Sequence, residues 1–139
     1  MANGLFAAYR TKVLGAGLDL SGLTINAMFL DNADDTAVLA TDDFMDDIAS
    51  AARVPAEASA PALASKTLGT VAAGVFDAAD TVFTSLSGDQ VEYLVVYEDS
   101  GAAATSDLIA MWDTATGIPL TPNGGNVTVV WSASGIFTF

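Results

Sequence analysis

The sequence contains no cysteine and no histidine. The absence of cysteine excludes a disulfide framework and a thiolate nucleophile, and the absence of histidine removes the most frequent general base and the commonest metal ligand. The sequence also lacks a Gly-x-Ser-x-Gly nucleophile elbow and a glycine-rich phosphate loop followed by lysine. Because the residue types and motifs that most enzymes use are missing, we expect no catalytic residues, no cofactor and no enzymatic activity.

Basic residues are also scarce. Lys and Arg total 4 against 17 Asp and Glu, which gives a formal net charge of −13. Four cations cannot form a basic patch and a polyanion would be repelled, so we expect no nucleic acid partner. The longest uncharged run follows Asp113, but Pro119, Pro122 and several turn residues interrupt it. We therefore expect no membrane span and no membrane partner.

Apolar residues, by contrast, are abundant. They make up 52% of the 139 residues, and charged residues make up only 15%. A disordered acidic tail would be far less hydrophobic, and a chain of this length can bury a core of its own. We therefore predict a single domain over residues 1–139. So apolar a composition also indicates that a partner covers part of the surface.

The N-terminal residues 1–22 are predicted to form a helix or arm, ahead of a β body over residues 23–139. Asn3 is a candidate N-cap for a helix over residues 4–14, which Gly15 and the glycine at position 17 would end. One narrow apolar stripe on this helix is formed by Leu5, Tyr9 and Val13. A helix with so narrow a stripe either packs on a sheet or reaches toward a neighbour.

A second short helix is predicted near residues 42–52. Thr41 is a candidate cap, acidic residues occupy the first turn, where the helix dipole favours negative charge, and Arg53 stands at the end. The following residues 54–63 are rich in alanine and proline and predict an exposed loop.

From residue 63 onward the pattern is typical of β-structure. Strands are predicted at residues 64–70, 74–76, 81–86, 90–98, 107–113, 126–132 and 136–139, in addition to an earlier one at 24–30. Residues 90–98 are apolar on both faces in the middle, as in a central strand covered on each side. Strands about a dozen residues apart, separated by Gly, Asn and Pro turns, predict a mainly β fold, as an antiparallel β-sandwich or barrel.

Two sets of residues could carry binding chemistry. The acidic clusters consist of Asp31, Asp34 and Asp35 and of Asp42, Asp43, Asp46 and Asp47, whose oxygens are of the type that Ca²⁺ prefers. EF-hand spacing is missing, so a solvated loop and a helix start are the favoured interpretations and no metal site is predicted. The aromatic candidates for stacking on a sugar or a partner are Tyr93, Tyr97, Trp112 and Trp131. Each lies in an alternating strand, which favours core packing.

Several short sequence motifs of the C-terminal half occur together in a known family. They are Gly74-Val75-Phe76-Asp77-Ala78, Thr105-Ser106, the spaced Asp113, Ala115, Gly117 and Pro119, and Pro122-Asn123-Gly124-Gly125 followed by a strand with Trp131. The chain resembles a family of small virion structural proteins of tailed bacteriophages. The Pro-Asn-Gly-Gly motif is the most specific part of the resemblance. A weaker similarity extends to Tyr9-Arg10 and to Arg53-Val54.

The resemblance implies a non-enzymatic virion protein present in many copies. We expect a capsid decoration (cement) protein that binds the outside of an icosahedral shell. Its partners would be the major capsid protein and other copies of itself, in a homo-oligomer such as a trimer. Its location would be the capsid surface of the virion, after assembly in the host cytoplasm. The alternatives are a neck, tail or baseplate component, and a carbohydrate-binding β-sandwich used in host attachment.

All four cations precede Thr67, which predicts an electrostatic asymmetry between the N-terminal region and the β body. Tyr9, Arg10 and Lys12 are the candidate partner-contact residues. The alternative is that they belong to an ordinary packed helix.

Overall fold

The computed structural model describes residues 3–16 and 18–139, and this part of the chain is mainly β, as predicted. Its strands are β1 (Gly4–Leu5), β2 (Ile25–Leu30), β3 (Arg53–Val54), β4 (Thr67–Leu68), β5 (Val75–Asp77), β6 (Thr81–Phe83), β7 (Tyr93–Glu98), β8 (Leu108–Trp112), β9 (Val127–Val129) and β10 (Phe137–Thr138). One α-helix, α1 (Ala7–Ala16), precedes β2. All strand pairs are antiparallel. No described helix has the length and apolarity that a membrane crossing requires.

The largest sheet has the strand order β1-β8-β7-β2-β3. Its centre is the long β2–β7 pair, with Ile25 opposite Glu98 at one end and Leu30 opposite Tyr93 at the other. Every residue of β2 is buried, and so is every residue of β7 except Glu98. The prediction of a central strand within residues 90–98 is therefore confirmed, because such burial requires cover on both faces.

The large sheet is open and covered in layers. Phe29, Leu94 and Trp112 form a cross-strand row on one face, since each pairs with the next. The Phe29 ring lies 4.6 Å from that of Phe83, so β6 and its partner β9 pack over this face. The remaining sheet has the order β10-β5-β4. The large sheet ends in open edges at β1 and β3, so it does not close into a barrel. Of the two predicted architectures, the layered one is therefore the one observed.

The N-terminal helix begins later than predicted, because Gly4–Leu5 forms the edge strand β1 against β8. Asn3 is not an N-cap. Its amide nitrogen donates to the carbonyl of Thr114, and its carbonyl oxygen accepts the backbone N–H groups of Asp113 and Thr114. The edge of β8 has backbone N–H and C=O groups that need hydrogen-bond partners, and β1 supplies them. Gly4 and Leu5 therefore form a strand and not the first turn of the helix.

The second predicted helix, near residues 42–52, is not an α-helix. Only two single 3₁₀ turns form there, Met45–Asp47 and Ser50–Ala52. The Asp47 carboxylate accepts the backbone N–H of Asp43 at 2.9 Å, which fixes a turn at the start of this segment. Local side chain–backbone hydrogen bonds of this kind compete with helix formation.

The alanine- and proline-rich residues 54–63 are not an exposed loop throughout. The N–H of Leu63 donates to the carbonyl of Ile25 at 2.8 Å, and the N–H of Ala27 donates to the carbonyl of Pro61 at 3.0 Å. The end of the segment therefore lies along β2, where the buried backbone of that strand needs partners beyond the short β3.

Candidate functional site

Two of the three candidate partner-contact residues are part of the packed helix. Tyr9 is only 1% exposed. Lys12 makes ion pairs with Glu98 at 3.3 Å and with Asp107 at 2.5 Å, and its ammonium lies 5.9 Å from the Tyr9 ring centroid. A partner cannot contact Tyr9 on the folded chain, and Lys12 is already held by two carboxylates.

Arg10 is the member of this trio that stays available. Its side chain is exposed and makes no ion pair or hydrogen bond to residues 3–16 or 18–139. It stands at a shallow cleft whose other walls include Leu5, Trp112 and Phe137. The cleft combines one cation with apolar walls, a combination that suits an acidic or aromatic group of a partner.

Carboxylates of both acidic clusters accept hydrogen bonds from backbone N–H groups of the loop in which they lie. Asp31 accepts the N–H of Ala33, Asp35 accepts the N–H of Ala49, and Asp42 accepts the N–H of Val38. Among the described residues, no three acidic side chains converge on a point where they could hold a metal ion. These carboxylates shape the backbone of the loop between β2 and β3.

Tyr97 lies at the centre of a buried polar network. The Asn26 amide donates to the Tyr97 hydroxyl at 3.4 Å and to the Asp99 carboxylate at 2.9 Å. Burial raises the pKa of Tyr97 to about 12, against the opposing effect of the Asn26 hydrogen bond and with a smaller contribution from the Asp99 charge. Partial burial lowers the pKa of Lys12, but the hydrogen bonds and charges of Asp107 and Glu98 outweigh it and raise that pKa above its ordinary value.

These two groups predict a loss of stability at alkaline pH. Unfolded Tyr97 releases its proton near pH 10.0, whereas the folded chain holds it to about pH 12. The stabilisation is therefore complete below pH 10 and is lost as pH rises through the folded pKa, and Lys12 acts in the same direction. Two pKa units correspond to about 3 kcal/mol. We expect the urea midpoint to fall between about pH 10 and pH 12, and to fall less in Tyr97→Phe. A midpoint that stays constant over this range would contradict the assignment.

A groove of about 650 Å³ contains both tryptophans of the chain. The rings of Trp112 and Trp131 lie 5.8 Å apart at an angle of 53°. The indole N–H of Trp131 donates to the hydroxyl of Thr81 at 3.0 Å, which fixes the orientation of the ring. Both side chains are half-buried, so they form a wall rather than a core, which differs from the favoured interpretation of the sequence. Tyr93 and Tyr97 do lie in the core.

Among the residues that the structure describes, no charged side chain lines this groove. Apart from Phe29, Leu94 and Trp112, all its lining residues come from the uncharged run that follows Asp113. In the sequence this run predicted only strands and turns, and the groove itself was missed. The signal that could have found it is the uncharged composition, because a surface segment of a strongly acidic chain otherwise carries charge.

The chain matches no family model, and no curated protein is detectably similar to it. The groove, Arg10 and the distribution of charge are therefore the features that bear on function.

Proposed function

We propose that this chain is a non-enzymatic structural protein of a bacteriophage virion. In this proposal it is a capsid decoration protein that binds the outside of the icosahedral shell, in many copies, and stabilises it. The observation that carries the proposal is the groove with its two tryptophans, which is apolar and uncharged in a chain with a net charge of −13. A surface of this kind is typical of protein–protein contact, in which aromatic residues are enriched and charged residues are depleted at the centre.

Exposed apolar side chains outside the groove also support a role in contact. The large ones are Leu14, Val38, Leu68, Val71, Val82 and Phe139. Arg10 and Lys66 are the cations that form no ion pair with described residues, whereas Lys12 and Arg53 are paired. The remaining surface is dominated by carboxylates, and such a charge keeps a crowded particle soluble.

Stabilisation of the shell would follow from mass action. A ligand that binds the assembled shell and not its dissociated subunits shifts the equilibrium toward the assembled state. Shells that lack the protein should therefore lose their contents at a lower temperature, and added protein should restore the higher temperature.

The test is co-sedimentation of the purified chain with shells that lack it, with the number of copies bound at saturation as the readout. Saturation at the number of shell subunits, or at a simple fraction of it, would support decoration. Binding of a few copies per particle would replace decoration with a neck, tail or baseplate position. No binding would overturn the virion role.

Arg10 should contribute to that binding. We expect Arg10→Glu to bind shells about tenfold more weakly and with a smaller dependence on salt, because a charge at the rim of an interface acts mainly through long-range attraction. Lys66→Glu is the matched control, since it makes the same charge change at another unpaired cation. Equal weakening by both variants would show that only the net charge matters and that Arg10 is not a contact.

The paired tryptophans also favour a second candidate, a carbohydrate-binding role in host attachment. Aromatic rings stack on sugars, but the polar side chains of the groove lining are limited to threonine and serine hydroxyls. A change in tryptophan fluorescence on addition of oligosaccharides would support this candidate, and an unchanged spectrum would count against it.

A further inference from the structure

The groove runs along the edge of a strand. Its lining includes every residue from 127 to 132 in succession, a stretch that contains β9 (Val127–Val129) and continues to Trp131. Side chains of a strand alternate between two faces, so consecutive residues can line one groove only where it follows the strand edge. Among the described strands, β9 pairs only with β6. The edge of β9 opposite β6 therefore faces the groove.

The backbone groups on this edge are free to bind. The N–H of Trp131 points to the β6 side, because it donates to the carboxylate of Asp80, which immediately precedes β6. Backbone groups alternate between the two edges of a strand, so the N–H and C=O of Val130 point to the opposite edge. Neither group of Val130 is hydrogen-bonded to another described residue, and the Val130 side chain is 73% exposed.

An unpaired strand edge beside an apolar groove is the arrangement that binds an extended peptide by strand addition. The backbone ladder supplies affinity, and the pockets beside it select alternate side chains. Here the walls are Trp112, Trp131, Ile118 and Leu120, which suit apolar side chains of moderate size. None of the described residues that line the groove is charged.

Charge identifies the kind of occupant. Two copies of a chain with a net charge of −13 repel each other, and the same field attracts a basic partner. We propose that the groove binds an extended segment of another protein, with apolar residues at alternate positions and basic residues on its flanks, as an added strand on β9. Under the proposed function this segment belongs to the shell subunit, and only that identity rests on the proposed function.

The test uses a synthetic peptide in which valine alternates with threonine, with two lysines at each end. Both tryptophans of the chain line the groove, so binding can be followed by their fluorescence. The first control peptide carries N-methyl groups on the valine and threonine amides, which keep the side chains and remove the hydrogen-bond donors on both edges of the peptide strand. The second carries glutamates in place of the lysines. We expect both controls to bind at least about tenfold more weakly, the loss expected for several weak hydrogen bonds or for reversed flanking charge.

On the protein side, Val130→Pro removes the free N–H without removing a hydrogen bond of the fold. Val71→Pro is the matched control, an exposed valine in the β4–β5 hairpin whose N–H is also unpaired among the described residues. We expect only Val130→Pro to lose peptide binding. Equal binding of the N-methylated peptide would overturn strand addition, a result that needs no protein variant.

The remaining outcomes are also decisive. No binding of the lysine-flanked peptide would overturn the proposal even if shells bind the chain. Peptide binding without shell binding would support the groove and overturn the virion role. A concentration-dependent dimer that Val130→Pro abolishes would show that a second copy occupies the groove, which would overturn the basic partner.

Discussion

Replacement of Arg53 by alanine is expected to lower the free energy of unfolding by about 3–5 kcal/mol, the range found when one partner of a buried ion pair is removed. The Arg53 side chain is only 10% exposed. Its Nη2 donates to the carbonyls of Met45 at 2.8 Å and Ile48 at 2.6 Å, its Nε donates to Ile48 at 3.0 Å, and its Nη1 donates to Glu57 at 3.1 Å. One guanidinium therefore connects the first 3₁₀ turn and the residue after it to the edge strand β3 of the large sheet.

The size of the effect follows from what the substitution leaves behind. The carbonyls of Met45 and Ile48 would lose a charged donor, and hydrogen bonds to charged groups contribute about 1.5–3 kcal/mol each. Glu57 would keep a half-buried negative charge with no cation beside it. Its second oxygen, Oε1, is already buried without a partner among the described residues, so the loss of Arg53 would leave the whole carboxylate unpaired.

Urea denaturation measures the change, with Arg53→Lys and Lys66→Ala as companions. Lysine keeps the charge but cannot span both carbonyls and the carboxylate with one ammonium, so we expect a loss close to that of alanine. Lys66 forms no ion pair with described residues, and its replacement should change stability by less than about 0.5 kcal/mol. If Arg53→Lys retained full stability, charge rather than the fork of donors would hold the segment.

The strands with the clearest local pattern are those that the sequence predicts correctly. The segments that became β2 and β7 are apolar on both faces, and burial on both faces of a central strand requires that composition. The pattern is local, so no knowledge of the neighbours is needed. The mainly β class follows from these strands and from the glycine, asparagine and proline turns between them.

The errors arise where a distant partner decides the local structure. Asn3 has the side chain of a good helix cap, but its amide is used by Thr114, more than a hundred residues away in the sequence. Arg53 was expected at the end of a helix, and it does bind carbonyls before it, but these belong to Met45, in a 3₁₀ turn, and to Ile48, which follows that turn. Side-chain chemistry was predicted in both cases, and backbone conformation was not.

In the candidate site, too, the sequence predicts some side-chain properties but not the contacts that depend on distant parts of the chain. Of the three predicted partner contacts, Arg10 is exposed, Tyr9 is buried in the core, and Lys12 is half-buried and paired with Glu98 and Asp107. The groove requires the register of β8 and the path of the chain after β9 to bring Trp112 and Trp131 together. No spacing in the sequence encodes that approach.

Gly135→Ala is the second substitution with a large expected effect, a loss of about 3–5 kcal/mol from overpacking and left-handed backbone strain together. Gly135 has φ +98, a conformation that favours glycine. A Cβ at this position would overlap Cγ1 of Val75 and would lie 3.2 Å from the carbonyl oxygen of Phe76. The clash falls where the N–H of Ile136 donates to that same carbonyl at 2.8 Å and starts the pairing of β10 with β5.

The matched control separates the two causes. Gly117 has φ +94, and a Cβ there would meet nothing within 4 Å, so Gly117→Ala reports the backbone strain alone, about 1–2 kcal/mol. Val75→Ala removes the clashing methyl groups, and the double variant with Gly135→Ala should therefore lose less stability than the sum of the single variants. Equal losses in Gly135→Ala and Gly117→Ala would mean that the chain moves away from Val75 at no cost. The stacked rings of Phe76 and Phe137, 4.8 Å apart, argue against such freedom, because that movement would pull β10 off β5.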